Sequence, residues 1–240
     1  MINSDIVYDY NEAGYLYVNK PYNWTSFDTI NKIRYFFRYY AGLKSIKIGH
    51  SGTLDPLASG VLIICTGKKT KEIENFQNLE KEYTGVFRLG ETTPSFDLET
   101  DSDAFYDISH ITNEAIYATA KQFEGEIMQS APLYSAKKIN GKRAYEYART
   151  GKNIIIPANK IFIKKFEITN IKLPEISFKV ICGKGTYIRS LAHDYGKALN
   201  SGACLIQLCR TRIGEITLKD TKSIDEIEQI IINQYSEKNC

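Results

Sequence analysis

Apolar and polar positions change rhythm several times along this chain, and each change marks an element. The run Gly14 to Asn19, with Tyr15, Leu16, Tyr17 and Val18, predicts a strand. Thr25-Ser26-Phe27-Asp28 has the form of a capping box. It predicts a helix to about Tyr40, with Ile30, Ile33, Phe37 and Tyr40 on one side and Lys32, Arg34 and Arg38 mostly outward. Ile48 to Gly60 reads as a glycine-punctuated loop and Val61 to Cys65 as a short buried strand. Glu82 to Leu89 is strand-like and Asn113 to Phe123 helical. Ser135 to Gly151 is polar and basic, with a short helix near Ala144 to Arg149. Ile161 to Cys182 holds two strand-like runs hinged at Pro174, followed by a helix over Tyr187 to Leu199. Leu205 to Leu208 and Ile213 to Leu218 are two further short strands, and Ile224 to Tyr235 is a closing amphipathic helix. Separated helices among β runs predict an α+β fold rather than strict βαβ alternation. With no convincing linker, residues 1–240 are expected to form a single domain, although Glu91 to Tyr106 is acidic and loop-like.

Composition narrows the class. Apolar residues make up 43% and charged residues 25% of the 240, enough for a core without staples. Net charge is +3, so a nucleic-acid reading must rest on local patches. The densest is Lys137, Lys138, Lys142, Arg143 and Arg149, with Lys68, Lys69, Lys71, Arg210 and Arg212 as secondary candidates. The five cysteines form no CxxC pair and have no histidine cluster beside them. Neither a disulfide framework nor a zinc site is supported, and a reducing cytoplasm fits. The N-terminus has no signal-peptide pattern, and no run approaches 18 apolar residues.

One segment stands out chemically: Gly49-His50-Ser51-Gly52-Thr53-Leu54-Asp55-Pro56-Leu57-Ala58-Ser59-Gly60. Two glycines before an Asp-Pro pair permit unusual backbone angles and can present one carboxylate at a cleft. Read generically, the same string is an ordinary turn with proline opening a helix. Rival motifs fail on spacing. Gly67-Lys68-Lys69-Thr70 has Leu62 where a phosphate-binding loop needs glycine. The His-x-Glu and Cys-x-x-Cys of a zinc deaminase are missing.

The full string closely resembles the catalytic motif of the TruB family, the tRNA pseudouridine-55 synthases. Further blocks are similar in order: Asn19-Lys20-Pro21, Lys81-Glu82-Tyr83, Tyr134-Ser135-Ala136 with Asn140 to Arg149, Cys182 to Leu191, and Leu208 to Gly214. The similarity runs from about Gly14 to Gly214. It implies the pseudouridine synthase fold, a mixed and mainly antiparallel sheet flanked by helices. It also implies a cofactor-free, metal-free isomerisation of the T-loop uridine of tRNA after the base is flipped. Asp55 would be the catalytic nucleophile, Arg189 its charge partner, and Tyr83 the ring that stacks on uracil and helps remove the C5 proton. Tyr187 and Leu208 would line the pocket. His50 would meet a displaced base as a neutral imidazole, and Lys20 would support the catalytic loop or contact RNA. The basic residues Lys137, Lys138, Lys142, Arg143, Arg149 and Arg210 would hold the RNA backbone.

The implied partner is the tRNA T-arm; no membrane and no obligate protein partner are expected, and the chain is read as a monomer. Many bacterial members carry a further C-terminal PUA domain, for which about 25 residues after the last block leave no room. Gly183 stands where serine is expected, and Cys209 where a basic residue is expected. The rival class is a non-catalytic RNA chaperone on the same fold, against which the intact Asp55, Tyr83 and Arg189 argue. A synthase for ribosomal or other RNA shares the chemistry, and the Gly49 to Gly60 string favours the tRNA type.

Overall fold

A computed structural model describes residues 10, 12–139, 141–150 and 154–236. The chain divides into two compact units, residues 1–79 with 209–240, and residues 80–208.

The first unit opens with β1 (Ala13–Lys20) and α1 (Ser26–Tyr40). The capping box is present as the sequence predicts: the Thr25 hydroxyl accepts from Asp28 N at 2.9 Å, and the Asp28 carboxylate accepts from Thr25 N at 2.9 Å. A strand β2 (Ile48–His50) pairs antiparallel with β3 (Ala58–Gly67). The expected Ile48 to Gly60 loop is therefore shorter, the seven residues 51–57 at the end of a hairpin. Ile48-Gly49-His50 has no alternating apolar signature and takes strand form through backbone pairing with β3. After a 3₁₀ turn (Lys68–Glu72) comes α2 (Ile73–Asn78), which the sequence reading did not separate.

The second unit contains β4 (Lys81–Leu89), the small pair β5 (Glu91–Thr92) and β6 (Ala104–Phe105), α3 (Asn113–Gln122) and β7 (Gly125–Gln129). Next come the two-residue strands β8 (Lys138–Ile139) and β9 (Lys142–Arg143) and the helix α4 (Ala144–Arg149). The long hairpin of β10 (Asn159–Lys172) and β11 (Glu175–Cys182) turns at Pro174, as expected, and α5 spans Ile188–Ala198. The strand order is β12-β4-β11-β10-β7, with β4–β11, β11–β10 and β10–β7 antiparallel.

Of the two short strands expected near the C-terminus, Leu205 to Leu208 lies within a longer strand, β12 (Ala203–Ile213), and Ile213 to Leu218 shrinks to the two-residue β13 (Ile216–Thr217). Cys209-Arg210-Thr211-Arg212 reads as polar and so interrupts the apolar pattern, yet Arg210 is buried within the strand. From Cys209 onward this strand belongs to the first unit, where the order is β1-β3-β12. The closing helix α6 (Ile224–Ser236) completes that unit.

β3 is buried on both faces, which is why it reads as a continuous apolar run. Leu62 and Ile64 pack with Leu16, Val18, Ile30, Ile33, Phe36, Phe37, Ile227 and Ile231. Val61, Ile63 and Cys65 pack on the other side with Ile213 and Ile216. The second unit centres on rings: Phe87 lies 4.1 Å from Phe178 and 5.8 Å from Tyr195 between centroids, and the Tyr195 hydroxyl donates to Ile116 O at 2.6 Å. Among the described residues no helix is long and apolar enough to cross a membrane.

One close approach depends on glycine. Gly60 has φ +112, and a Cβ there would stand 2.3 Å from Arg210 O and 2.7 Å from Arg210 N. Backbone cannot yield as a flexible side chain can. Gly60→Ala is expected to lower unfolding stability by about 2 kcal/mol or more, read as a fall in the urea midpoint at unchanged slope. An unaltered midpoint would refute the close-packing account.

Candidate active site

The 51–57 loop is clamped from several directions within its own unit. Ser51 N donates to Ile63 O at 2.9 Å and Ala58 N to Asp55 O at 3.1 Å. Ser26, the first residue of α1, both accepts from Leu54 N at 2.9 Å and donates to Leu54 O at 3.2 Å. Gly52, at φ +146, takes a conformation that favours glycine. Leu54 is buried at 3% exposure and anchors the loop, while Asp55 beside it is half-buried.

Two buried cations complete the clamp. Lys20, at 0% exposure, donates its ammonium to Pro21 O at 2.8 Å, to Trp24 O and, at 3.5 Å, to Pro56 O. Arg210, at 2% exposure, donates from Nε to Val61 O at 2.8 Å and from a terminal nitrogen to Gly52 O at 3.1 Å. The Arg210 placement departs from the expectation, and the Lys20 placement agrees with one of its two alternatives. Arg210 was expected on the RNA backbone, but its guanidinium donates to two carbonyls of the β2–β3 hairpin and is shut off from solvent. Lys20 was expected to support the loop or to touch RNA. Its burial and its bond to Pro56 O agree with the first.

Burial lowers the Lys20 ammonium to about 8; Asp55 opposes that shift, Arg210 adds to it and Asp28 opposes it. The folded value thus lies below the ordinary 10.5. Between those two values the unfolded chain binds more protons, so this group adds to stability as pH rises through that window. In the folded protein the positive charge that faces Asp55 is lost as pH rises through about 8. Turnover at saturating substrate is therefore expected to fall above about pH 8 while the fold holds, and Lys20→Met should be slower and lack that limb. Identical pH–rate profiles for the two proteins would refute the role.

His50 accepts from Gly52 N at 3.2 Å through Nδ1, which requires an unprotonated Nδ1. Burial, then the Arg210 charge, holds its pKa below the ordinary value, in keeping with a neutral ring.

The remaining candidates lie in the second unit. Tyr83 is half-buried on β4, opposite Val180 of β11. Tyr187 caps the start of α5 and is fixed by Gln129, whose side chain accepts from Tyr187 N at 2.8 Å and donates to Tyr187 O at 3.1 Å. Leu208 is 9% exposed on β12.

Arg189, at 3% exposure in the first turn of α5, donates to Ser95 O at 3.2 Å and pairs with the Asp97 carboxylate, 3.5 Å from its Nε. The sequence reading missed Asp97. Its signal was faint: the Glu91 to Tyr106 stretch looked like an acidic loop. In fact Asp97 is buried at 3% exposure, and its backbone carbonyl accepts from Thr93 Oγ1 at 2.6 Å and Ser95 Oγ at 3.1 Å. The neighbouring Phe96 is held at φ +65, rare for a bulky residue, with its ring stacked on His193 at 3.9 Å.

The basic cluster forms a hairpin. Lys138 pairs with Arg143 and Ile139 with Lys142 across β8 and β9, leaving Lys138, Lys142 and Arg143 exposed. Lys137 is turned toward Pro157 O at 3.1 Å. Arg149 ends α4, with its side chain outside the described residues, as is all of Asn140. Of the secondary cations, Lys69 is engaged by Glu72 at 2.6 Å and Arg212 donates to Gly214 O at 2.7 Å. Among the described residues no group of three or more His, Cys, Asp and Glu side chains could hold a metal.

A model of the TruB family pseudouridylate synthase N-terminal domain matches residues 38–188. A tRNA pseudouridine synthase B of Flavobacterium johnsoniae is 52% identical over 222 residues, covering 92% of this chain and 97% of its own. One from Phocaeicola vulgatus is 49% identical over 230 residues, covering 96% and 98%. In fold, a chain of an archaeal box H/ACA sRNP Nop10–Cbf5 complex superposes with a TM-score of 0.67 at 24% identity, over 96% of this chain and 57% of that one. A chain of a Cbf5–Nop10–Gar1 complex gives 0.69 at 24% identity, over 99% and 68%. Matched by a family model along most of its length and about half identical to relatives that it spans almost end to end, this chain belongs to the TruB family of pseudouridylate synthases.

Proposed function

We propose that Asp55 is the carboxylate through which this synthase isomerises its uridine. The enzyme is a tRNA pseudouridine synthase B, an isomerase that makes pseudouridine 55 of tRNA. The reaction breaks the N1–C1′ bond, turns the uracil, joins C5 to C1′, removes the C5 proton and places one proton on N1, so atoms balance without a second substrate. Asp55 acts as nucleophile, and three routes suit a carboxylate: attack on the base, attack on the ribose, or assistance of elimination at the sugar.

What supports Asp55 above all is the clamp on its loop. A hairpin end of seven residues is fixed by Ser26, by Arg210 and by Lys20, whose charge faces the carboxylate. Two wholly buried cations committed to one short loop are costly to desolvate, and a plain turn needs neither. Such support holds a reacting group in its productive geometry.

Tyr83 is assigned the stacking surface for the extruded uracil and the acceptance of the C5 proton. Arg189, held by Asp97, supplies the fixed positive charge, and Tyr187 and Leu208 shape the pocket. The target base must leave the T-loop stack, and the exposed Lys138, Lys142 and Arg143, with Lys137 and Arg149, are assigned to the surrounding phosphates. Pseudouridine mapping on an unmodified tRNA transcript tests the reading. Modification confined to position 55 is the expected result, and modification elsewhere, or none, would overturn it.

A further inference from the structure

Charge along this chain is unevenly placed. Between Ser26 and Lys47 lie five bases, Lys32, Arg34, Arg38, Lys44 and Lys47, against one acid, Asp28. That net +4 exceeds the +3 of all 240 residues, so everything outside the segment is slightly acidic in balance. Most of the segment is α1, and its inward side is fully used: Ile30, Ile33, Phe36 and Phe37 are in the core.

The outward side is built from rings as well as cations. Phe27 is 64% exposed, Tyr35 49% and Tyr39 67%. These positions recur at helical spacing on one face. Tyr35 and Tyr39 are stacked, centroids 5.6 Å apart and planes 16° from parallel. The Lys32 ammonium sits 5.5 Å from the Tyr35 centroid, and Arg34 is steadied by Asn31 Oδ1 at 2.6 Å. The lone acid, Asp28, is turned back into the N-terminal cap. Burial explains none of the three exposed rings, and aromatic groups interleaved with cations present two things RNA takes: counter-charges for phosphates and flat faces for unpaired bases.

The helix is also tied to the reacting loop. Ser26 at its start grips Leu54, the residue before Asp55, and its 15 residues extend about 22 Å at the rise of an α-helix. We propose that this outward face of α1 is a second contact surface for tRNA, with Arg34 and Arg38 on backbone phosphates and the Tyr35–Tyr39 pair under an unpaired base. This rests on the tRNA reading above.

The test is direct binding rather than activity. An unmodified tRNA transcript is titrated between 50 and 200 mM salt with wild-type protein, with Arg34→Gln/Arg38→Gln, and with Tyr35→Ala/Tyr39→Ala. All four side chains lie at the surface, and an unchanged thermal midpoint would verify folding. The arginine pair is expected to reduce the salt slope by about 2. The tyrosine pair is expected to weaken binding by about fivefold or more with the slope retained. Turnover at saturating tRNA should be unchanged in both, with KM raised. Wild-type affinity and slope in both variants would overturn the assignment, as would a wild-type dimer that the variants split. Failure of the wild-type protein to bind tRNA at all would instead sink the substrate reading on which the assignment stands, and the assignment with it.

Discussion

Asp55→Asn is expected to bind tRNA nearly as well as wild type and to lose turnover by roughly 10⁴-fold. The substitution keeps the shape of the side chain and leaves the loop's fastenings in place. Those run through backbone atoms and other side chains: Ser26 to Leu54, Arg210 to Gly52 and Val61, Lys20 to Pro56. The charge and the nucleophilicity go. An amide is a poor nucleophile and cannot stabilise positive charge at C1′, so all three chemical routes fail together. Single-turnover pseudouridine mapping with excess enzyme, beside a binding titration, separates the two effects. Turnover within tenfold of wild type would reject Asp55. Loss of binding to the same extent as loss of turnover would make it a structural residue.

Asp97→Ala is expected to be strongly destabilising, costing about 3 kcal/mol or more of unfolding free energy. It removes the carboxylate that pairs with Arg189, and both side chains are 4% exposed. A guanidinium in so dry a place depends on its counter-charge, and the loss is larger than for any exposed pair such as Lys160–Glu126. Asp97→Asn retains the volume and should recover part of the stability while kcat stays depressed, because the orientation of Arg189 depends on the ion pair. Denaturant titration and steady-state kinetics on both variants read the two effects. A stable, fully active Asp97→Ala would refute both the energetic and the positioning argument.

Much of the local structure was legible because it is encoded locally. The Thr25–Asp28 box marks the start of α1 through contacts three residues apart. The turn at Pro174 separates β10 from β11 because proline cannot donate to a sheet ladder. β3 is apolar throughout because both its faces are covered. What failed locally did so for a stated cause. β12 was ended too early, at Leu208, because Cys209 to Arg212 breaks its apolar pattern, and β2 was missed because Ile48-Gly49-His50 lacks side-chain periodicity.

By itself, the sequence determined the element order over most of the chain, the Asp55 motif and its order relative to Tyr83 and Arg189, and through their resemblance the family. These are properties of neighbours and of linear order. The tertiary structure alone decided which charges are buried and what they hold. Arg210 is 149 residues from Val61 in sequence, and Arg189 is 94 from Ser95. Nothing near any of these positions distinguishes a solvated arginine from one locked into the interior. The burial of a charge is settled by whether carbonyls and carboxylates from distant segments converge on it, and that convergence exists only once the chain is folded.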